Sequence, residues 1–161
     1  MSFQNKWVHK EIRRKDLNSL EVTQIAADLL EARDVKGLQA LMAEVFKAKG
    51  PSMELTKQQT LGYLQVLFTA FPDHRFGFTD FEENGELVSC TGQETGTHQG
   101  IFDLKPFGIP LTLPPTGKSF RLPKSKFSFR TANDQLTYFS ESATEGGGLA
   151  GILAQLGVKL P

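Results

Sequence analysis

The sequence predicts an α+β domain, with helices first and an antiparallel sheet after them, on three observations. Between Asp16 and Phe71 apolar residues recur at helical spacing. After Asp73 short runs alternate apolar and polar residues, and glycine and proline cut that second half into strand-length pieces.

Each element follows from local chemistry. Leu20, Val22, Ile25, Ala26, Leu29 and Leu30 form one stripe behind an Asn18 or Ser19 cap, and Arg33-Asp34 ends that helix. Asp34 then caps a second helix carrying Leu38, Leu41, Met42 and Val45, closed by Gly50-Pro51. A third is expected from about Ser52 to Ala70, with Leu55, Leu61, Leu64, Leu67 and Phe68 inward. Phe76, Phe78 and Asp80 alternate with Gly77, Thr79 and Phe81, and Asn84-Gly85 signals a hairpin into a strand from Glu86 to about His98. The proline-rich stretch from Phe102 to Pro115 reads as a long loop or lid. Two strands follow, Ser119 to Arg130 and Leu136 to Glu141, turning at Asn133-Asp134. Pro123 makes the first of them an edge or breaks it. A Gly146-Gly147-Gly148 joint precedes a short amphipathic tail. The expected organisation is a polar arm over 1–15 and one domain over 16–161, with helices at about 18–71, a sheet at about 74–142 and the tail at 146–161.

Composition narrows the function. Of 161 residues 39% are hydrophobic and thirteen are phenylalanine, enough for one core. Eighteen basic and eighteen acidic side chains cancel, so no overall field favours nucleic acid or an anionic membrane. Lys10, Arg13, Arg14 and Lys15 read as a solvated arm. Cys90 is the only cysteine, which rules out an internal disulfide and fits a reducing cytosol. No segment approaches the length of a signal peptide's apolar core or a membrane span, so a cytoplasmic protein is expected. Nothing in the spacing of His, Cys, Asp and Glu reads as a metal site, a phosphate loop or a Ser-His-Asp elbow, and no cofactor is expected.

The most polar strand offers the candidate chemistry. Residues two apart share a face, so Cys90, Gly92, Glu94, Gly96 and His98 lie together, with Gln93, Thr95 and Thr97 opposite. Glu94 and His98 stand too far apart to pair directly, yet both can reach one ligand in the room left by the glycines. Burial would raise the carboxyl and lower the imidazole towards a working acid or base. In the alternative reading His98 is a satisfied semi-buried histidine and Glu94 an ion-paired side chain. His9 and His74, among charged neighbours, are weaker candidates, and Cys90 reads as an inert packed thiol.

Phe71-Pro72-Asp73, Gly96-Thr97-His98-Gln99-Gly100, Pro114-Pro115-Thr116-Gly117-Lys118 and Leu153-Ala154-Gln155-Leu156-Gly157, in that order, resemble the SnoaL-like polyketide (ester) cyclases over about residues 34–161. The resemblance implies a nuclear transport factor 2-like fold: a cone of helices on a strongly curved antiparallel sheet around an internal pocket, commonly dimeric through the sheet. It also implies cofactor-free ring closure by an intramolecular aldol reaction with an aspartate as acid/base. The aspartate position falls on Phe127 or on Lys126, depending on the motif used for alignment, and neither can serve. His98 carries over as a pocket residue.

Three functions follow from this reading. The first is a homodimeric protein holding a hydrophobic, carbonyl-bearing small molecule beside His98, Thr97, Cys90, Tyr138 and Phe127, without the catalytic aspartate and so without catalysis. The second is a cofactor-independent cyclase, isomerase or hydrolase in which Glu94 or His98 moves a proton and Tyr138 or Thr97 supports an oxyanion. The third is an interaction module acting through the sheet face. His98→Ala is expected to spare folding and weaken ligand binding.

Overall fold

A computed structural model describes residues 17–158; the polar arm lies outside them. Helix α1 (Ser19–Glu31) starts at Asn18, whose side chain accepts from Glu21 N while Glu21 accepts from Asn18 N. It buries Val22, Ala26 and Leu30 and leaves Ile25 exposed. Asp34 caps α2 (Val35–Leu41) by accepting from Gly37 N.

The second helix stops earlier than expected. Met42 to Lys49 form strand β1, and the predicted helical stripe through Met42 and Val45 is corrected. From Phe46 onwards burial alternates, with Phe46 and Ala48 inside and Lys47 and Lys49 outside, a period of two that the short window before Gly50 obscures. β1 pairs in parallel with β10 (Gln135–Glu141), so its backbone is satisfied by a partner that local sequence cannot reveal. The third helix also starts later: Ser52 falls in the turn before β2 (Glu54–Thr56), and α3 runs Lys57–Ala70 behind a Thr56/Gln59 capping box.

The remaining strands are β3 (Thr79–Asn84), β4 (Leu87–Gly92), β5 (Thr95–Thr97), β6 (Phe102–Asp103), β7 (Thr112–Leu113), β8 (Ser119–Arg121), β9 (Ser125–Ala132) and β10 (Gln135–Glu141). Six of them form a sheet in the order β2-β1-β10-β9-β4-β3, antiparallel except for β1/β10. The single strand expected from Glu86 to His98 is broken at Gln93-Glu94, and its second piece, β5, pairs with β8 in a separate two-stranded sheet. Pro123 breaks the following strand between β8 and β9. Asn133 and Asp134 both hold positive φ in the β9–β10 turn. The proline-rich stretch folds as a small β6/β7 hairpin around a 3₁₀ turn at Lys105–Phe107. Helix α4 (Gly148–Gln155) closes the structure, and its Gln155 side chain bonds both the N–H and the carbonyl of Arg121 at 2.8 Å.

The core lies between the sheet's concave face and α1–α4. Phe71, Phe102, Phe127 and Phe129 are at most 1% exposed. Phe76 stacks on Phe78, and Phe139 contacts both Phe127 and Phe129.

Candidate acid/base site

Between the sheet and the helices lies a cavity of about 110 Å³, counted as space open to the centre of a water-sized sphere. Leu30, Leu38, Met42, Leu64, Leu67 and Leu136 make much of its wall, with Phe46, Phe76 and Phe139. The carboxyls lining it are Glu94 and Glu141, Tyr63 adds a phenol, and the backbone at exposed Lys49 borders it. At least one water centre needs roughly 10–15 Å³, so the space takes several waters or one small organic molecule.

Glu94 sits where the chain leaves β4 for β5, its carbonyl accepting from Leu122 N at 2.9 Å. It is 7% exposed, and its Oε1 accepts from His74 Nε2–H at 2.9 Å. A carboxylate is an acceptor only, so that hydrogen bond assigns the His74 proton to Nε2. Nδ1 is buried without a partner among the described residues. His74 is itself fully buried against the rings of Phe68 and Phe76, and its carbonyl accepts from Arg33 at 2.8 Å. The imidazole therefore backs Glu94 from behind the cavity wall.

Glu141 ends β10 on the inward side. Burial first, and the Glu94 charge second, push its carboxyl up to about 8, and its Oε2 is buried with no partner among the described residues. Burial, then the Glu94 and Glu141 charges, likewise push the Tyr63 phenol above its usual value. The wall thus presents a carboxyl hydrogen-bonded to His74, a second carboxyl whose pKa burial raises, and a phenol. Two carboxyls whose environments differ this way are suited to opposite proton-transfer roles.

The sequence model of the SnoaL-like polyketide cyclases matches residues 20–136. The chain belongs to the SnoaL-like polyketide cyclase family. No curated protein matches it. Among solved structures, the SnoaL-like chain is similar to IdmH, a candidate polyketide cyclase from Streptomyces antibioticus: 20% identity over 87% of this chain and 99% of that one, TM-score 0.64. A candidate SnoaL-like polyketide cyclase from Jannaschia sp. CCS1 is 19% identical over 86% and 91% of the two chains, TM-score 0.66. AclR, a candidate hydroxylase from Streptomyces galilaeus, is 16% identical over 91% and 82%, also at TM-score 0.66. At these identities the likeness shows the fold, a nuclear transport factor 2-like α+β cone, and leaves chemistry to the site.

The structure separates the residues that sequence periodicity grouped. Cys90, Gly92, Glu94, Gly96 and His98 are all buried on one face, yet of these only Glu94 lines the cavity. The glycines leave no room for a ligand: a Cβ at Gly92 would lie 2.5 Å from the Phe127 ring, and one at Gly96 2.7 Å from Phe120. Phe120 and Phe71 fill the space beside Gly96.

His98 is corrected from a cavity residue to a structural one. It is fully buried against Phe71, and its Nδ1 accepts from Thr116 N–H at 3.2 Å, which ties the Pro114–Lys118 turn to β5. Burial pushes its pKa below the usual imidazole range, with the Gly100 backbone acting in opposition. The rest of its motif holds the end of α3: Gln99 and Gly100 N–H both donate to the Ala70 carbonyl, and Thr97 N donates to Asp73 at 2.7 Å. Thr97 Oγ1 pairs with Ser119 away from the cavity. Cys90 and Phe127 are core, and burial raises the Cys90 thiol to about 12. Tyr138 lies in register with exposed Lys47 and Arg130, on the sheet's outer face.

Sequence reading set His74 aside and passed over Glu141 and Tyr63. The signal for Glu141 was present: it stands two residues after Phe139, an inward position. His74 carries no such signal, because only the tertiary fold brings it to Glu94.

Proposed function

We propose that this protein is a cofactor-independent enzyme that moves a proton at a carbon next to a carbonyl of a hydrophobic ligand. The observation that carries the reading is that Glu94, held by His74, and Glu141, with one carboxyl oxygen buried and unpartnered among the described residues, line one mostly apolar cavity. Glu94 takes the α-proton, and His74 holds its carboxylate in place. The Glu141 O–H and the Tyr63 hydroxyl donate to the developing enolate oxygen, where charge appears only as the reaction proceeds. The enolate then either recovers the proton at another carbon or closes on a second carbonyl. Simple binding of an apolar molecule would not call for two carboxyls in its wall, each costly to bury. The family's aspartate position, Phe127 or Lys126, lies in the core or on the outer face, and Glu94 and Glu141 supply the acid and base from other strands.

The test is exchange of the α-protons of 2-octanone with D₂O, followed by NMR. Glu94→Gln is expected to slow exchange by about 10²–10⁴-fold. Wild-type protein no faster than buffer, or Glu94→Gln as fast as wild type, refutes the assignment.

The sheet's outer face supports a homodimer. One row across it reads Lys49, Ser140, Ser128, Ser89, Glu82, with opposite charges at its ends and serines between. In the proposed dimer a two-fold axis along β9 at Ser128 would set Lys49 of one copy against Glu82 of the other.

A further inference from the structure

The carboxyls of the cavity lie towards one of its ends, and the other end is walled by leucine and methionine. β1 and β10 run parallel along its wall, Met42 beside Leu136 at one end and Lys49 beside Ser140 at the other. Leu30, Leu38, Met42 and Leu136 close the first end, each at most 4% exposed. At the second end Lys49, Pro51 and Ser52 are exposed and face the start of α4, and Glu141 is next in chain after Ser140. The six-residue run from Leu136 to Glu141 spans roughly 17 Å at strand rise. Glu141 pairs with Phe127 and Gly92 with Ser125, so Glu94, two residues past Gly92, leaves the sheet at the Glu141 end; the carboxyls lie towards the open end, and Leu30, Leu38, Met42 and Leu136 wall the closed one.

Resting on the acid/base reading above, we infer that the substrate class is an aliphatic ketone or keto acid derivative: a flexible alkyl chain enters first and fills the closed end, leaving the reacting carbonyl at Glu94 and Glu141 near the mouth. Branched, flexible side chains at that end conform to an alkyl chain. They offer no flat aromatic surface at that end; of the rings lining the cavity, Phe76 packs on His74, Phe139 stands two residues from Glu141 and Phe46 lies part-way along β1. A ligand carrying its carbonyl at the middle of a rigid fused-ring body would place apolar surface against Glu141 and leave the closed end empty.

Binding of a homologous series tests this, using 2-hexanone to 2-decanone and the planar aromatic ketone anthrone, with isothermal titration calorimetry as the readout. Affinity is expected to rise about fourfold per methylene buried and to exceed that for anthrone at the long end. Leu38→Phe, which fills the closed end, is expected to abolish the gain from the last two or three methylenes, and Leu136→Phe to do the same should Leu38→Phe fail to fold. A flat series, anthrone binding more tightly than 2-decanone, or an unchanged series in a folded filling variant each overturns the inference. The two readings fail separately. Alkanones that bind with the expected slope without α-proton exchange refute the catalytic reading alone, and exchange without chain-length dependence refutes only the aliphatic one.

Discussion

Glu141→Gln tests the electrostatics of the cavity through stability, with no ligand required. The folded carboxyl titrates at about 8 against an ordinary 4.5. Between those values the folded chain holds a proton that the unfolded chain has released. Stability from this group is therefore full below pH 4.5, falls as pH rises, and levels off above 8. At pH 7 the penalty is 2.5 pH units' worth, about 3 kcal/mol at 1.36 kcal/mol per unit. Glutamine keeps the shape and cannot ionise, so the variant should match wild type near pH 4.5 and exceed it by about 3 kcal/mol at pH 7. For a domain of this size that is a rise in Tm of roughly 6–12 °C. Thermal unfolding of both proteins at pH 4.5, 7 and 8.5 measures it. A Tm difference that stays constant across those pH values refutes the buried, protonated Glu141. The same titration predicts that α-proton exchange declines above about pH 8, as the donor is lost.

Three further predictions concern the frame around the site. His98→Ala should cost about 2–4 kcal/mol of stability by opening a hole beside Phe71 and releasing Thr116, with ketone affinity in calorimetry unchanged; a stable variant that binds poorly would return His98 to the cavity. Gly96→Ala should cost about 1–3 kcal/mol by forcing a Cβ into Phe120 and Phe71, read from denaturant unfolding, and a neutral result would mean that those rings move freely. Wild type should sediment as the proposed homodimer, Glu82→Lys as a monomer, and Lys49→Glu in the same chain should restore the dimer; a monomeric wild type, or a double variant that stays monomeric, removes the serine row as an interface.

Local chemistry made much of this fold readable. Asn18, Asp34, Asn84-Gly85 and Asn133-Asp134 mark their caps and turns by side-chain hydrogen bonding and tolerance of positive φ, which need no distant partner. β1 was hidden because its strand character depends on β10, far along the chain, while its leading residues continue the helical stripe of α2. The site was half legible for the same reason. Glu94 stands out as a carboxyl on the buried face of a predicted strand, whereas His74 gains its meaning only when α3 ends at Ala70 and the turn delivers it beside Glu94. His98 drew attention through its glycine-flanked motif, and those glycines answer to the rings of Phe120 and to the carbonyl end of α3, not to a ligand.

The parallel pairing of β1 with β10 also orders how the molecule is made. Every strand contact that β1 makes beyond its hairpin with β2 waits for residues 136–140, so during synthesis the α1–α2–β1 segment and one cavity wall stay open until nearly the last strand has emerged. The apolar residues that later line the cavity, Leu38, Met42 and Phe46 among them, spend that interval uncovered. Folding speed, and the yield lost to aggregation, should therefore respond more to substitutions in β10 than to equally buried changes in the β3–β4 hairpin, which closes on itself.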